Sequence, residues 1–294
     1  MGAAINVICG FDDQYAPHFA MMVSSLFAGS QNPGKIKLYL ISNFVSPPIR
    51  GRIEAIVDRY GVGKIYWLQP DVSQFQDAPL TQHFTRAAYA RIPAFDILEA
   101  DRALYLDVDL LCLADIAELH DSNLAGNIVG AVLDPGSTFG TDDHKASLEL
   151  RRDALCFNSG VLVVDLVKWR EEKITAACVD FVREKSSVIR WPDQDTLNVV
   201  LARRWFRLES VWNVQSHFWK PVFREFLARQ MPGELAVTDH PKIVHFNDGA
   251  KPWQFGFQHP YRQNYFDHLA KSGWPHVVRK GTLNGLRDQM AFFE

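Results

Sequence analysis

Short apolar runs alternate with helix-patterned segments through the first half of the chain. Ile5–Cys9, Ile36–Ile41, Lys64–Leu68 and Arg102–Leu106 have the Val, Ile, Leu and Tyr density of buried strands. Between them Ala16–Ala28 reads as a helix, and Ser46-Pro47-Pro48 opens another that runs to about Tyr60, with serine as cap and proline in the first turn. Thr81–Leu98 is broadly helical, interrupted near Pro93. This β-α-β-α-β order predicts an α/β fold with a parallel sheet and helices on both faces. Further strands are expected at Asn127–Leu133, Asn158–Leu166 and Lys242–Phe246, and helices near Glu171–Lys185 and over Asp193–Leu201, the latter with Asp193 as N-cap. Gly136–Asp153 reads as a loop or lid. Asn213–Val237 is irregular and rich in aromatic and basic residues.

Ligands of parallel sheets bind at the carboxyl ends of strands. Asp12-Asp13 lies at such an end, as do Asp107 and Asp109, Asp134, and, on the late strand, His245. Asp107 and Asp109 are spaced i and i+2, which on a strand puts both carboxylates on one face. They repel each other unless a cation lies between them, so the pair is a candidate site for Mg²⁺, Mn²⁺ or Ca²⁺. An imidazole from His245 would favour Mn²⁺ over Ca²⁺. Lys251, six residues further on, would offer a point charge to a diphosphate. Asp12-Asp13-Gln14-Tyr15 reads either as a tight turn or as a nucleobase site, with Tyr15 stacking on the ring. In Trp191-Pro192-Asp193-Gln194-Asp195 the acidic residues suit a helix N-terminus, whereas Gln194 has no evident capping role. Trp212, His217, Phe218 and Trp219 fit a platform for a sugar ring and core packing equally well.

Composition narrows the field. A net charge of −3 over 294 residues gives no support for a nucleic-acid partner. Cys9, Cys112, Cys156 and Cys178 contain no Cys-x-x-Cys pair, so neither a zinc knuckle nor a redox pair is suggested, and a reducing compartment is expected. There is no Gly-x-Gly-x-x-Gly and no Walker loop. The N-terminus lacks a basic region, so no signal peptide is expected. No apolar stretch reaches membrane-spanning length. Trp274–Glu294 suits a helix docked on the body, or at most a peripheral membrane contact.

In this order the motifs resemble glycosyltransferase family 8, which contains lipooligosaccharide galactosyltransferases and glycogenin-like proteins. Asp-Asp-Gln-Tyr at 12–15 is similar to the family's uridine-binding turn. Tyr89-Ala90-Arg91 is similar to its arginine-bearing helix, and Leu106-Asp107-Val108-Asp109 to its metal motif. Phe157-Asn158-Ser159-Gly160 matches its Phe-Asn-x-Gly strand, Asp193-Gln194-Asp195 its Asp-Gln-Asp helix, and His245 through Lys251-Pro252-Trp253 its His-x5-Lys-Pro-Trp element. The resemblance implies a GT-A fold with a Rossmann-like, mostly parallel sheet. Residues 1–275 would form one domain, with a nucleotide-binding half over about 1–110 and an acceptor-side half over about 111–275, followed by a tail or helix at 276–294. It implies a UDP-sugar donor, a glycan or other hydroxyl acceptor and Mn²⁺, with Mg²⁺ as a substitute, in the cytoplasm, without fixing an oligomeric state.

The roles implied by the same resemblance are these. Asp107, Asp109 and His245 would ligate the metal. Asp12, Asp13, Gln14, Tyr15, Val108, Asp248 and Lys251 would hold the nucleotide. Arg91, Asp134, Asn158, Gly160, Asp193 and Gln194 would surround the donor sugar, with Gln194, Asp193 and Asp134 closest to the chemistry. The family transfers a hexose with retention, and a front-face route is favoured because Gln194 is a poor nucleophile. Two positions depart from the pattern: Gln14 stands where asparagine is common, and Asp248 where a glycine often lies against the diphosphate. Rival readings are a glycogenin-like self-glycosylating protein, a non-catalytic UDP-sugar binder, a nucleotidyltransferase and a haloacid-dehalogenase-type phosphohydrolase. The last usually has Thr or Val where this chain has Leu111.

Overall fold

The computed structural model describes residues 4–61, 64–76, 78, 88–139 and 143–274. Residues 81–87 of the helix expected over Thr81–Leu98, part of the 136–153 segment and the tail from 275 onward lie outside these residues. Ten strands are found among them: β1 Ile5–Gly10, β2 Ile36–Ile41, β3 Lys64–Leu68, β4 Arg102–Leu106, β5 Leu110–Cys112, β6 Val129–Leu133, β7 Phe157–Asp165, β8 Trp205–Arg207, β9 Val214–Gln215 and β10 Ile243–His245. The chain divides into two compact units of interleaved segments. One takes residues up to Asp13, Asn32–Asp107 and Ala117–Glu209; the other takes Gln14–Gln31, Val108–Ile116 and residues from Ser210 onward.

The first unit is built on a seven-stranded sheet of order β3-β2-β1-β4-β7-β6-β8. Both of its faces are covered. Ala103 and Tyr105 of β4 join a core with Ile92, Phe95, Trp169, Ile174 and Leu197. Leu104 and Leu106, pointing the opposite way, are equally inaccessible. The pairs β1–β2, β2–β3 and β1–β4 are parallel, as expected, and β6 also pairs in parallel with β8, a strand the sequence pattern did not indicate. β7 differs, running antiparallel to both β4 and β6. Its beginning therefore meets the carboxyl ends of its neighbours. The N–H of Asp107 bonds Gly160 O at 2.8 Å, and that of Asp134 bonds Cys156 O at 2.9 Å. This reversal delivers Asn158, Ser159 and Gly160 to the functional edge of the sheet.

Several boundaries shift for local reasons. Pro93 does not interrupt its helix: Arg91–Ile97 begins two residues earlier, so proline lies in the first turn, where its missing N–H breaks no bond. Ser46 is the N-cap of Pro47–Asp58 by backbone conformation, but its side chain makes no capping bond. The helix expected over 171–185 is two, Leu166–Glu171 and Ile174–Lys185, parted by Lys173 at φ +53°. Asp193 is not an N-cap: Pro192–Val200 is preceded by Trp191. The segment after Asp134 is more ordered than a loop, with helical turns at Pro135–Phe139 and Asp143–Ser147. Buried Lys145 ties it down, its ammonium donating to the carbonyls of Thr138, Arg152 and Ala154.

The second unit holds a three-stranded sheet, β5-β10-β9. The helix Ala16–Gly29 is apolar nearly all round and buries Ala16 through Phe27, packing against Arg262–Ser272. The stretch expected to be irregular over 213–237 instead contains β9, a helix at Pro221–Gln230 and 3₁₀ turns at Ser216–Trp219 and Pro232–Thr238. Trp212 and Phe218 are buried, as core packing requires. All four cysteines are buried and none forms a disulfide among the described residues. Among the described residues no helix is long and apolar enough to cross a membrane.

Candidate active site

In the first unit the site is organised by Arg91. Its guanidinium contacts Asp107 Oδ1 at 2.9 Å and Asp193 Oδ2 at 3.0 Å and donates to Ser159 O at 3.1 Å. It also lies 4.1 Å above the ring of Tyr105. Tyr105 Oη donates to the same Asp107 oxygen at 3.0 Å. Burial opposes the charge on Arg91, but Asp107 and Asp193 outweigh it and raise the guanidinium pKa above its ordinary value. Among the described residues its buried Nε–H has no hydrogen-bond partner.

Gln194 is fixed on both sides. Its Oε1 accepts from Asn158 Nδ2 at 3.1 Å and from the Ser159 N–H at 3.2 Å. The backbone donor settles which end of the amide is oxygen. Its Nε2 donates to Asp134 Oδ2 at 3.1 Å and to Ser137 Oγ at 3.4 Å. The neighbouring acids have different duties. Asp193 also receives Ser159 Oγ at 2.8 Å. Asp195 receives the N–H groups of Arg190 and Trp191 and His144 Nε2, at 2.8, 3.0 and 2.9 Å, and so caps the helix from within. Asn198 zips the helix to β7 through both polar groups of Phe157. A cavity of about 230 Å³ lies beside Gln194, with Ser137, His144 and Trp191 among its lining residues.

In the second unit the buried Asp109 carboxylate is bracketed, with Lys251 Nζ 2.7 Å from Oδ2 and His245 Nε2 3.2 Å from Oδ1. Burial alone would raise its pKa; Lys251 and then His245 overcome that and hold it far below the usual carboxylate range. Lys251 also donates to Phe246 O at 2.6 Å. His245 Nδ1 faces Asn213 Oδ1 at 3.0 Å. An amide oxygen there selects the Nδ1–H tautomer and turns the Nε2 lone pair toward Asp109. A lone pair and a carboxylate so close need a proton or a metal cation between them. Asp109 and His245, with Asp107 two residues back along the chain, are the donor set among the described residues that could hold such an ion.

The sequence pattern of Glycosyl transferase family 8 matches residues 6–256. The chain belongs to that family. General stress protein A of Bacillus subtilis (strain 168) is 31% identical over 92% of this chain and 94% of its own length. The lipopolysaccharide 1,2-glucosyltransferase of Escherichia coli (strain K12) is 26% identical over 92% and 79%. The galactosyltransferase LgtC, solved with donor and acceptor sugar analogues, superimposes with a TM-score of 0.79 at 24% identity, covering 91% of this chain and 96% of LgtC. That likeness shows the shared GT-A fold.

The remaining motif residues of this family 8 chain fall into place by unit. In the first, Asp12 and Asp13 follow β1, and Asp13 Oδ1 accepts the Ser46 N–H at 2.8 Å, which anchors the turn. In the second, Gln14 and Tyr15 are exposed and precede the helix Ala16–Gly29. Tyr15 stands edge-on to Trp253, their ring centroids 6.0 Å apart. Trp253 stacks on His18, which is held by Tyr265 Oη at 2.6 Å. The Lys-Pro-Trp element thus buttresses the tyrosine. Sequence reasoning missed Asn213 and His18 and gave Tyr105 and Ser159 no role in the donor site. Tyr105 carried a usable signal: two residues before Asp107, it shares its face of β4. Asn213 carried none, because its partner lies on another strand.

Proposed function

We propose that the chain transfers a hexose, galactose or glucose, from a UDP-sugar to a glycan or other hydroxyl acceptor with retention of configuration. The observation that carries this is the Arg91 cluster: one guanidinium spanning two carboxylates beside a fixed amide. Such a cluster suits the hydroxyls of a sugar ring. Asp107, Asp109 and His245 would hold Mn²⁺, which neutralises charge on a leaving diphosphate when bound. The donor set of two carboxylates and a tautomer-fixed imidazole fits that ion. Tyr15 would carry the base and Lys251 a phosphate. Asp134, Asn158, Gly160, Asp193 and Gln194 would enclose the hexose.

A covalent double displacement requires a free nucleophile. Gln194 Oε1 already accepts two hydrogen bonds, and Asp193 Oδ2 is engaged by Arg91 and Ser159. A front-face transfer asks neither of them to attack. The acceptor oxygen bonds to the anomeric carbon as the bond to the phosphate oxygen breaks, and the departing UDP takes the acceptor proton. Gln194 and Asp134 would orient the ring.

The test is calorimetric titration of UDP with and without Mn²⁺, followed by a screen of UDP-hexoses against glycan acceptors. Mn²⁺-dependent binding and transfer from a UDP-hexose are expected. Failure to bind UDP under either condition would overturn the reading.

A further inference from the structure

Asp248 is the residue that fits least well in a diphosphate loop, because a carboxylate there would repel phosphate. It is not left alone. Lys220 Nζ lies 2.8 Å from Asp248 Oδ2. Lys220 comes from a different segment, the junction between the 3₁₀ turn Ser216–Trp219 and the helix Pro221–Gln230. Both ends of the pair are built in. The N–H of Lys220 donates to His217 O at 3.0 Å, and its carbonyl accepts Arg224 N at 2.9 Å. On the loop side, Asn247 accepts Ser216 N at 3.1 Å and donates to Gln215 Oε1 at 3.3 Å. Ser216 Oγ in turn bonds His245 O at 3.2 Å. The loop that follows His245 is therefore stitched to residues 215 and 216, just ahead of the ion pair on both segments.

We propose that Lys220 is a second cation of the diphosphate site, brought there by Asp248, and that the pair sets how tightly the nucleoside diphosphate is held. The inference rests on the UDP reading above. It explains how the chain carries a carboxylate in this loop: the carboxylate arrives with its own counter-ion and leaves the local charge unchanged. Lys251 remains the primary cation, and the Lys220–Asp248 pair trims its pull.

The signs of three variants follow. Lys220→Met leaves Asp248 uncompensated and weakens UDP. Asp248→Asn removes the carboxylate that repels phosphate and tightens UDP. The double variant restores the wild-type charge and returns near wild-type affinity. At this partly exposed site each single change is worth roughly three- to tenfold in Kd. Uridine, lacking phosphate, should bind all four proteins alike, and Lys220→Arg should keep UDP affinity within about twofold because the charge is retained. Both side chains are partly exposed, so the variants should fold.

Calorimetric titration of UDP and uridine in Mn²⁺ reads all of this. Opposite shifts in the single variants that cancel in the double establish the inference. Unchanged UDP binding in the single variants, or shifts shared by uridine, overturns it while the nucleotide reading stands. Absence of UDP binding by the wild type removes both.

Discussion

The two units hold their site carboxylates with different cations. In the first, Asp107 and Asp193 share an arginine, whose planar fork reaches both while its face rests on Tyr105. In the second, Asp109 is flanked by a lysine and a histidine, one at each oxygen. Arginine does not give up its proton at any working pH and is poorly replaced by a point charge. An ammonium and an imidazole can both yield a carboxylate to another cation. The contrast separates a fixed frame, suited to reading a sugar ring, from an exchangeable charge, suited to an incoming ion and phosphate.

The largest expected effect tests the fixed frame. Arg91→Lys cannot make both contacts and leaves one carboxylate without its buried guanidinium. Breaking a buried ion pair this way costs about 3–5 kcal/mol, and turnover should fall by roughly a hundredfold or more. Thermal unfolding and kcat/KM would check it. A variant within threefold of wild type would show that the cluster is only packing.

Next comes the exchangeable side. Losing an outer partner of a metal ligand typically costs about 10–100-fold in metal affinity. Asn213→Ala should weaken Mn²⁺ by that amount, and Asp109→Asn should abolish Mn²⁺-dependent UDP binding. Equal affinities in wild type and Asp109→Asn, measured by Mn²⁺ titration, would remove this carboxylate from the ligand set.

Gln194→Ala sharpens the comparison inside the fixed frame. If the amide only orients the sugar, turnover should drop by roughly a hundredfold without vanishing, and intact mass should show no sugar adduct on the wild type. A trapped adduct on Gln194 or Asp193 would replace the front-face route with a covalent one.

The comparison itself was only half legible in the chain. Long apolar runs ending in acids announced β1, β4 and β6, so Asp12, Asp107 and Asp134 were found where the strands end. β5, β8 and β9 are too short for a periodicity to register, and with them the second sheet went unread. The direction of β7 was also hidden, since an apolar run reads the same either way; only pairing with β4 and β6 fixes it. The partners of Arg91 and His245 are non-local. That Asp195 rather than Asp193 does the capping depends on one turn of register at Pro192. The departure at Asp248 was visible, but its counter-ion at Lys220 was not.

The smallest expected effect concerns acid. The second unit carries two half-buried histidines with lowered pKa values, His259 and His268. Burial brings His259 from the ordinary 6.5 to about 4, against an opposing pull from Asp248. It packs against Trp219, Phe246 and Phe257, and among the described residues its buried Nε2 has no hydrogen-bond partner. Between those two pH values the unfolded chain binds a proton that the folded chain refuses, so stability declines as pH falls from 6.5 toward 4. The loss is on the order of 1–3 kcal/mol over that window. His259→Phe keeps the aromatic packing and removes the proton site, so its urea midpoint should fall less between pH 7 and pH 5 than that of the wild type. Parallel declines in the two proteins would place the acid sensitivity elsewhere and leave the second unit no more pH-dependent than the first.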